Sequence, residues 1–252
     1  MSSTLENEYV HTAYSRLATY QMKDHRQFSP RIWPNVRKFL ESQTPGSTVI
    51  DVGCGEAKYT RSSVFVLGVD TCADALIGRA LRSPPNHLDL LLADALKLPF
   101  RDNTADAILN VSVLHHLSTA SRRKAALEEC GRCLRPGGQM LTYVWAYEQP
   151  NGSFKSQDLL VPWNLSEIPI NVTVPTRLPV NRYNAIFFVD CLSFLLDLVL
   201  FCNDPSYLIS SQSIQMGVCQ VVRPRVRAEN CAAKFVANLD DSGAFHWSPN
   251  LK

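Results

Sequence analysis

Five short apolar runs, each followed by a turn or polar residue, constrain the fold of this 252-residue chain most strongly. They cover residues 48–52, 64–69, 88–93, 107–111 and 138–145. A helical pattern over 119–134 separates the last two runs. Strands that alternate with helices favour right-handed βαβ crossovers and a doubly wound, mostly parallel α/β sheet. Ligands bind such a sheet at the carboxyl ends of its strands.

The segment before the first run is predicted to be helical. Leu5, Tyr9 and Leu17 recur at helical spacing, and Pro34 suits the first turn of a second helix. After residue 163 the pattern no longer defines a fold. We therefore divide the chain into a helical segment (1–45), a cofactor-binding core (46–163) and an atypical C-terminal region (164–252).

The C-terminal region contains two features that the sequence does resolve. Residues 150–184 contain five prolines and are predicted to form a long, irregular connection. Residues 185–202 are the most apolar window, but Asp190 and Asp197 inside it are costly in a bilayer. We therefore expect a buried helix there and no membrane span.

The overall composition excludes a disordered or fibrous chain, because 46% of the residues are hydrophobic and 19% are charged. The formal net charge of +2 carries no nucleic-acid signature by itself. It leaves RNA binding open, since a local basic patch is sufficient.

The eight cysteines indicate free thiols in a reducing compartment, because the polar start MSSTLENEYVH has no apolar leader. Cys130 and Cys133 form a CxxC motif, but no second ligand pair stands at zinc-site spacing. We interpret this segment as a structural helix that ends at Pro136-Gly137, and we expect no metal site.

The motif VIDVGCG at 49–55 carries the strongest chemical signal. Glycines at a strand end let a ligand approach the backbone closely. Asp70 closes the next strand, nineteen positions after Asp51, where a carboxylate can accept hydrogen bonds from ribose hydroxyls. Glu56 would repel a pyrophosphate, so S-adenosylmethionine, which has no phosphate, is the expected ligand. The alternative is that these residues only form turns.

The runs IDVGCG, GVD, ADALKLPF, VLHHLST, LRPGG and YVWAYEQ resemble the S-adenosylmethionine-dependent carboxyl methyltransferases of the tRNA wobble uridine. The resemblance covers residues 5–163. It implies a class I, Rossmann-like fold and transfer of a methyl group to 5-carboxymethyluridine at position 34 of tRNA. It also implies a small zinc-binding activator protein that pairs with a sheet edge. The family has a glycine where Ala57 stands.

The resemblance and the motif together assign roles to individual residues. Asp51, Gly53, Cys54 and Gly55 would line the methionine end of the cofactor, Asp70 the ribose, Asp94 and Ala95 the adenine, and Val111 and Ser112 the methyl donor. The acceptor carboxylate is already ionised at pH 7, so no residue need transfer a proton.

Two further groups are candidates on the acceptor side. His115 and His116 would contact the acceptor, or would pack or cap the loop. Arg122, Arg123 and Lys124 would contact tRNA phosphates, or would form a solvated helix face.

Two other functions stay open at this point: a class I methyltransferase for another small-molecule or protein acceptor, and a non-catalytic binding module with the cofactor fold. We expect a cytoplasmic location, with the nucleus as a further alternative.

Overall fold

The computed structural model describes residues 4–24, 32–81, 85–145, 158–163, 182–187, 208–211, 216–222, 235–239 and 245–249. At its start, α1 (Thr4–Glu6), a π-helix (Asn7–His11) and α2 (Thr12–Asp24) follow one another without interruption. The predicted second helix is α3 (Pro34–Glu41), which has proline in its first turn. None of the helices in these ranges has both the length and the apolar character that a membrane crossing needs.

Five parallel strands form most of the main sheet, in the order β3-β2-β1-β4-β5. Their bounds are Thr48–Val52 (β1), Phe65–Asp70 (β2), Leu88–Leu92 (β3), Ala105–Val111 (β4) and Leu134–Trp145 (β5). Between them lie α4 (Ala73–Ala80), which leads from β2 to β3, and α5 (Ala120–Cys133), which leads from β4 to β5. The predicted doubly wound α/β sheet is confirmed, and its strand order reverses between β1 and β4.

The end of α5 differs from the prediction. The helix stops at Cys133 and not at Pro136-Gly137, because Leu134 already has an extended backbone (φ −72°, ψ 127°). Pro136 disfavours helical geometry at the residue before it, so the chain enters β5 early.

Two strands from the C-terminal region complete the main sheet. β9 (Met216–Val222) pairs antiparallel with β5, and β8 (Leu208–Ser211) pairs antiparallel with β9. The remaining described strands form two antiparallel pairs: β6 (Asp158–Trp163) with β7 (Arg182–Phe187), and β10 (Phe235–Leu239) with β11 (Phe245–Pro249).

These strands correct two predictions. β6 lies inside the segment that we expected to be irregular, and it contains Pro162. The helix predicted over 185–202 is wrong at its start, because residues 185–187 end β7 and pair with residues 158–160. A short apolar run does not distinguish a strand from a buried helix by periodicity alone. Residues 188–202 lie outside the described ranges.

The side chains of each central strand alternate between two cores, one on each face of the sheet. On one face Ile50 and Ile108 pack with Leu127 of α5. On the other, Val49 and Leu109 pack with α3 and α4 through a cluster that includes Val36, Phe39, Leu40 and Leu76. Because both faces of the sheet are covered, a ligand can reach the sheet only at the ends of its strands.

Candidate functional site

A cleft of about 620 Å³ lies between the carboxyl ends of the parallel strands and the N-terminal helical segment. The sequence-predicted residues in its wall are Gly53, Cys54, Gly55, Asp70, Asp94, Ala95, Val111, Ser112, His116 and Arg122. The structure therefore brings together residues from four successive strand ends, as the predicted topology requires.

The glycine turn after β1 is held in a shape that other residues would not adopt. Gly53 has φ +68°, and a Cβ atom added there would lie 2.3 Å from Cγ2 of Val113. The backbone N–H groups of Gly53 and Cys54 both donate to the carbonyl of Val69, at 2.7 and 3.0 Å. Gly55 has φ +51° with nothing within 4 Å of its added Cβ, which leaves open space for a ligand.

Ala57, in the position where the resemblance has glycine, also has a positive φ of 46° and is buried. A left-handed backbone costs a non-glycine residue roughly 1–2 kcal/mol. The turn thus keeps the glycine-type backbone although its residue carries a methyl group.

Asp70 closes β2 and is linked to the glycine turn. Its carboxylate accepts the backbone N–H of Gly55 at 2.7 Å through Oδ2 and that of Cys72 at 2.8 Å through Oδ1. Burial raises the pKa of Asp70, and these two hydrogen bonds partly oppose that rise. A carboxylate offers about four acceptor positions, so its two oxygens still have capacity for the two hydroxyls of a ribose.

Asp51 lies behind the cleft wall, at the second-to-last position of β1. It is 1% exposed, and its Oδ2 has no hydrogen-bond partner within the described residues. Burial and the neighbouring charge of Asp70 raise the pKa of Asp51 to about 8, against an opposing effect of Lys58. This carboxyl is therefore mostly protonated near neutral pH. A cationic group such as the ammonium of the methionine moiety would favour its ionised form.

Asp94 and Ala95 follow β3 and line the cleft beside Asp70. Oδ1 of Asp94 accepts the backbone N–H of Leu96 at 2.9 Å, which fixes the carboxylate at the strand end. This arrangement agrees with the predicted role of Asp94, whose carboxylate would accept a hydrogen bond from the amino group of adenine.

The two histidines after β4 occupy different environments. His116 lines the cleft, and its Nε2 lies 2.9 Å from the hydroxyl of Tyr14. His115 is 2% exposed, and burial together with His116 holds its pKa well below the usual range. The structure therefore places His116, and not His115, in the cleft wall.

The basic cluster at the start of α5 is largely engaged inside the protein. Arg122 forms an ion pair with Glu6, and Arg123, 7% exposed, donates to the carbonyl of Leu117 at 3.0 Å. Lys124 pairs with Glu128 at 3.3 Å on the surface. This placement favours a structural role for the two arginines over contact with tRNA phosphates, because Arg122 is paired with Glu6 and Arg123 is buried.

The CxxC cysteines lie on the buried face of α5 and pack in the core. Cys130 and Cys133 are both 0% exposed, and the amide of Asn110 donates to the sulfur of Cys130 at 3.8 Å. Within the described part of the chain, no three His, Cys, Asp or Glu side chains are grouped so that they could hold a metal ion.

Sequence reasoning missed the contribution of the helical segments to the cleft. Val10, His11, Tyr14 and Leu17 line it from the N-terminal segment, and Trp33, Lys58 and Tyr59 line it from other positions. The apolar stripe over residues 5–17 predicted that one helical face is buried, but not that this face covers the cleft. The π-helix shifts the helical register inside this stripe, and no sequence pattern predicts such a turn.

The comparisons with known proteins agree with this geometry. A methyltransferase-domain family model matches residues 50–142. The chain is 43% identical to the probable tRNA methyltransferase 9B of Bos taurus over 166 residues, which are 65% of this chain and 35% of that protein. It is 38% identical to the tRNA (carboxymethyluridine(34)-5-O)-methyltransferase of Schizosaccharomyces pombe over 172 residues, 66% of this chain and 72% of that protein.

Among solved structures, an S-adenosylmethionine-dependent methyltransferase from Methanosarcina mazei superposes with a TM-score of 0.53 at 13% identity. The match covers 76% of this chain and 96% of that one. At this identity the likeness concerns the fold.

A parallel sheet with a glycine turn, acidic strand ends and a cleft above them defines a class I methyltransferase that uses S-adenosylmethionine. The chain belongs to the family of tRNA (carboxymethyluridine(34)-5-O)-methyltransferases, because it is 38% identical to the S. pombe member and spans 72% of it. The predicted family, fold and cofactor are confirmed. The chain spans only 35% of the length of the Bos taurus relative.

Proposed function

We propose that this protein transfers a methyl group from S-adenosylmethionine to the carboxylate of 5-carboxymethyluridine at the wobble position of tRNA. The observation that carries the proposal is its likeness to the S. pombe enzyme of that name, which is 38% identical over 172 residues. The cleft at the carboxyl ends of the strands supplies the site. This likeness favours wobble uridine over another small-molecule or protein acceptor and over a non-catalytic module.

The residues of the cleft would act by holding and aligning the reactants. The bound cofactor supplies an electrophilic methyl group. Asp70 would hold the ribose, Asp94 the adenine amino group, and the buried carboxylate of Asp51 the ammonium group. These contacts fix one partner of an in-line displacement, and alignment of this kind accounts for a large part of such a rate acceleration.

The acceptor carboxylate is anionic at neutral pH, so the protein need not remove a proton from it. Ser112 follows β4 directly, lines the cleft and has φ +62°, an uncommon backbone for serine. A non-glycine residue held in this conformation costs about 1–3 kcal/mol, and such residues cluster at functional sites. Ser112 and His116 would thus form the acceptor side of the cleft.

The test is a nucleoside assay on bulk tRNA from cells that lack this methyl ester. The full chain, with and without a zinc-binding activator protein, is incubated with this tRNA and isotopically labelled cofactor. We expect labelled ester at uridine 34 in mass spectra of the digested tRNA. Asp70→Ala should abolish both cofactor binding in calorimetry and ester formation. Glu41→Ala, at an exposed carboxylate of α3 outside the cleft lining, should alter neither.

Two results would redirect the proposal. Label in a protein or small-molecule fraction, with none in tRNA, would assign another acceptor. Failure of the wild type to bind the cofactor would favour the non-catalytic module.

We also propose that a small zinc-binding activator protein pairs with the edge of the sheet at β3. In the described part of the sheet β3 is an outer strand. Among the described residues, the exposed large apolar side chains are Ile77 at 52%, Leu81 at 76% and Leu92 at 63%. Leu92 ends β3, and the other two lie in or directly after α4, which contacts β3. An edge strand with exposed apolar neighbours is a template for pairing with another chain.

Co-purification of the full chain with the activator tests this surface. The double variant Leu81→Ser with Leu92→Ser should reduce the recovered activator at least tenfold, whereas Ala80→Ser on the same helix should not. Equal recovery with both variants would exclude this edge.

A further inference from the structure

Tyr14 and His116 join the N-terminal helical segment to the acceptor end of the cleft. The hydroxyl of Tyr14 lies 2.9 Å from Nε2 of His116, although the two residues are 102 positions apart. Their rings meet edge to face, with centroids 5.2 Å apart. Both side chains line the cleft.

The direction of this hydrogen bond depends on the tautomer of His116. Burial and the neighbouring charge of Asp70 raise the pKa of Tyr14, so the hydroxyl keeps its proton at neutral pH. A hydroxyl that donates to Nε2 of a neutral imidazole leaves the ring proton on Nδ1. With Tyr14 as the donor, the contact selects the Nδ1-protonated tautomer of His116.

The ring of His116 is also supported from a second side. The ring of His115 packs against it with centroids 4.4 Å apart at an interplanar angle of 64°. His115 is buried and has a lowered pKa, so it supports the ring as a neutral group. Tyr14 and His115 thus hold the ring of His116 from two sides.

We propose that Tyr14 is a positioning residue for methyl transfer, which acts by orienting His116 toward one oxygen of the acceptor carboxylate. The inference rests on the proposed function. One carboxylate oxygen then accepts a hydrogen bond from His116, and the other attacks the methyl group. The new bond joins that oxygen to the methyl carbon, the sulfur–methyl bond breaks with its electron pair on sulfur, and no proton moves.

This role differs from a contribution to packing alone, because Phe preserves the ring of Tyr14 and removes only the hydroxyl. Tyr14→Phe should lower kcat about tenfold, the scale of one lost orienting hydrogen bond. The dissociation constant of the cofactor and the melting temperature should stay close to the wild-type values. Tyr9→Phe, a matched loss of a hydroxyl from the same helical segment, should retain wild-type kcat.

A double-mutant cycle shows whether Tyr14 acts through His116. If it does, the variant that combines Tyr14→Phe with His116→Ala loses no more activity than His116→Ala alone. Multiplied losses in the double variant, or full activity in Tyr14→Phe, would overturn the proposal.

A second measurement separates this inference from the proposed function. Nitrogen-15 NMR of the His116 ring reports the tautomer without turnover, and we expect the Nδ1-protonated form in the wild type and its loss in Tyr14→Phe. A wild type that forms no ester on tRNA would contradict the proposed function. An unchanged His116 tautomer in Tyr14→Phe would contradict the role of Tyr14.

Discussion

Glu6 and Arg122, 116 positions apart, form a two-point ion pair in which Nε and Nη2 of Arg122 donate to the two carboxylate oxygens at 2.8 and 2.7 Å. Glu6 also accepts the backbone N–H and the hydroxyl of Ser118, each at 2.6 Å. The side chains of Glu6 and Arg122 are only 2% and 19% exposed. The pair attaches the helical wall of the cleft to the loop that carries the histidines.

Replacement of Glu6 by Gln should destabilise the protein by about 2–3 kcal/mol, because it leaves a largely buried guanidinium without its counter-charge. Burial raises the pKa of Glu6, but hydrogen bonds from Arg122 and Ser118 outweigh this effect and bring the pKa below its ordinary value. The contribution of the pair is therefore present above the unfolded pKa of about 4.3 and is lost as the pH falls through the lower folded pKa. Urea unfolding at pH 7 and below pH 4 measures both effects.

The control for this prediction is Glu41→Gln. Glu41 pairs with Arg61 at 2.7 Å, but the two side chains are 53% and 30% exposed. An exposed pair of this kind contributes about 0–1 kcal/mol. Equal losses in Glu41→Gln and Glu6→Gln would show that the Glu6 pair is no stronger than a surface pair.

Asp51→Asn should change how stability depends on pH. The folded pKa of about 8 lies above the ordinary value, so the contribution of this carboxyl is fully present below pH 3.8 and is lost as the pH rises through about 8. The variant should gain stability relative to the wild type by up to about 1.4 kcal/mol per pH unit across this window. Urea unfolding of both proteins at pH values of about 5.5, 6.5 and 7.5 measures how the free energy of unfolding changes with pH.

The matched control is Asp89→Asn, a carboxylate exposed on β3. It should keep the pH dependence of the wild type. If the free energies of unfolding of Asp51→Asn and the wild type changed with pH in the same way, Asp51 would stay ionised in the folded protein.

Thr142→Val should stabilise the protein by about 1 kcal/mol, because it removes a buried hydroxyl that lacks a hydrogen-bond partner among the described residues. Thr142 is 0% exposed, and valine preserves its branched shape in β5. The midpoint of urea unfolding reports the change. Thr104→Val is the comparison: its hydroxyl is exposed and donates to the carbonyl of Arg101 at 2.9 Å, so no gain is expected. A loss of stability in Thr142→Val would reveal a partner for the hydroxyl.

Alkylation should distinguish the buried cysteines from Cys72. Burial raises the pKa of Cys130 to about 12, only partly offset by its hydrogen bond from Asn110, and Cys133 is equally inaccessible. Cys72 is half-buried at the cleft wall. A short iodoacetamide pulse followed by peptide mass spectrometry should label Cys72 well before the other two. The same pulse in urea should label all three, and rapid native labelling of Cys130 would show that α5 opens.

The ends of the central strands were predictable from local sequence. The runs before Gly53 and before Asp70 are apolar, short and rich in β-branched residues, so β1 and β2 lie within about one residue of their predicted bounds. Parallel pairing then requires that Asp51, Asp70 and Asp94 approach the same edge. For that reason most of the predicted cofactor residues line one cleft.

The long-range pairs were not predictable in this way. Arg122 satisfies the pattern of a solvated helix face, and Tyr14 that of an apolar one, yet each is paired with a residue more than 100 positions away. Local periodicity contains no information on such partners. The strands β8 and β9 escaped prediction as well, because their sequences show no strong alternation.

The antiparallel pairing of β5 with β9 runs through seven residue pairs, from Gln139–Val222 to Trp145–Met216. The match to the family model, over residues 50–142, therefore ends before the structural unit does. A shortened chain that stops at residue 163 would retain the glycine turn and every acidic strand end. It would also leave the backbone N–H and C=O groups along one side of β5 without partners, and such an edge recruits other chains. The boundaries of the family match are consequently unsuitable as boundaries for recombinant expression.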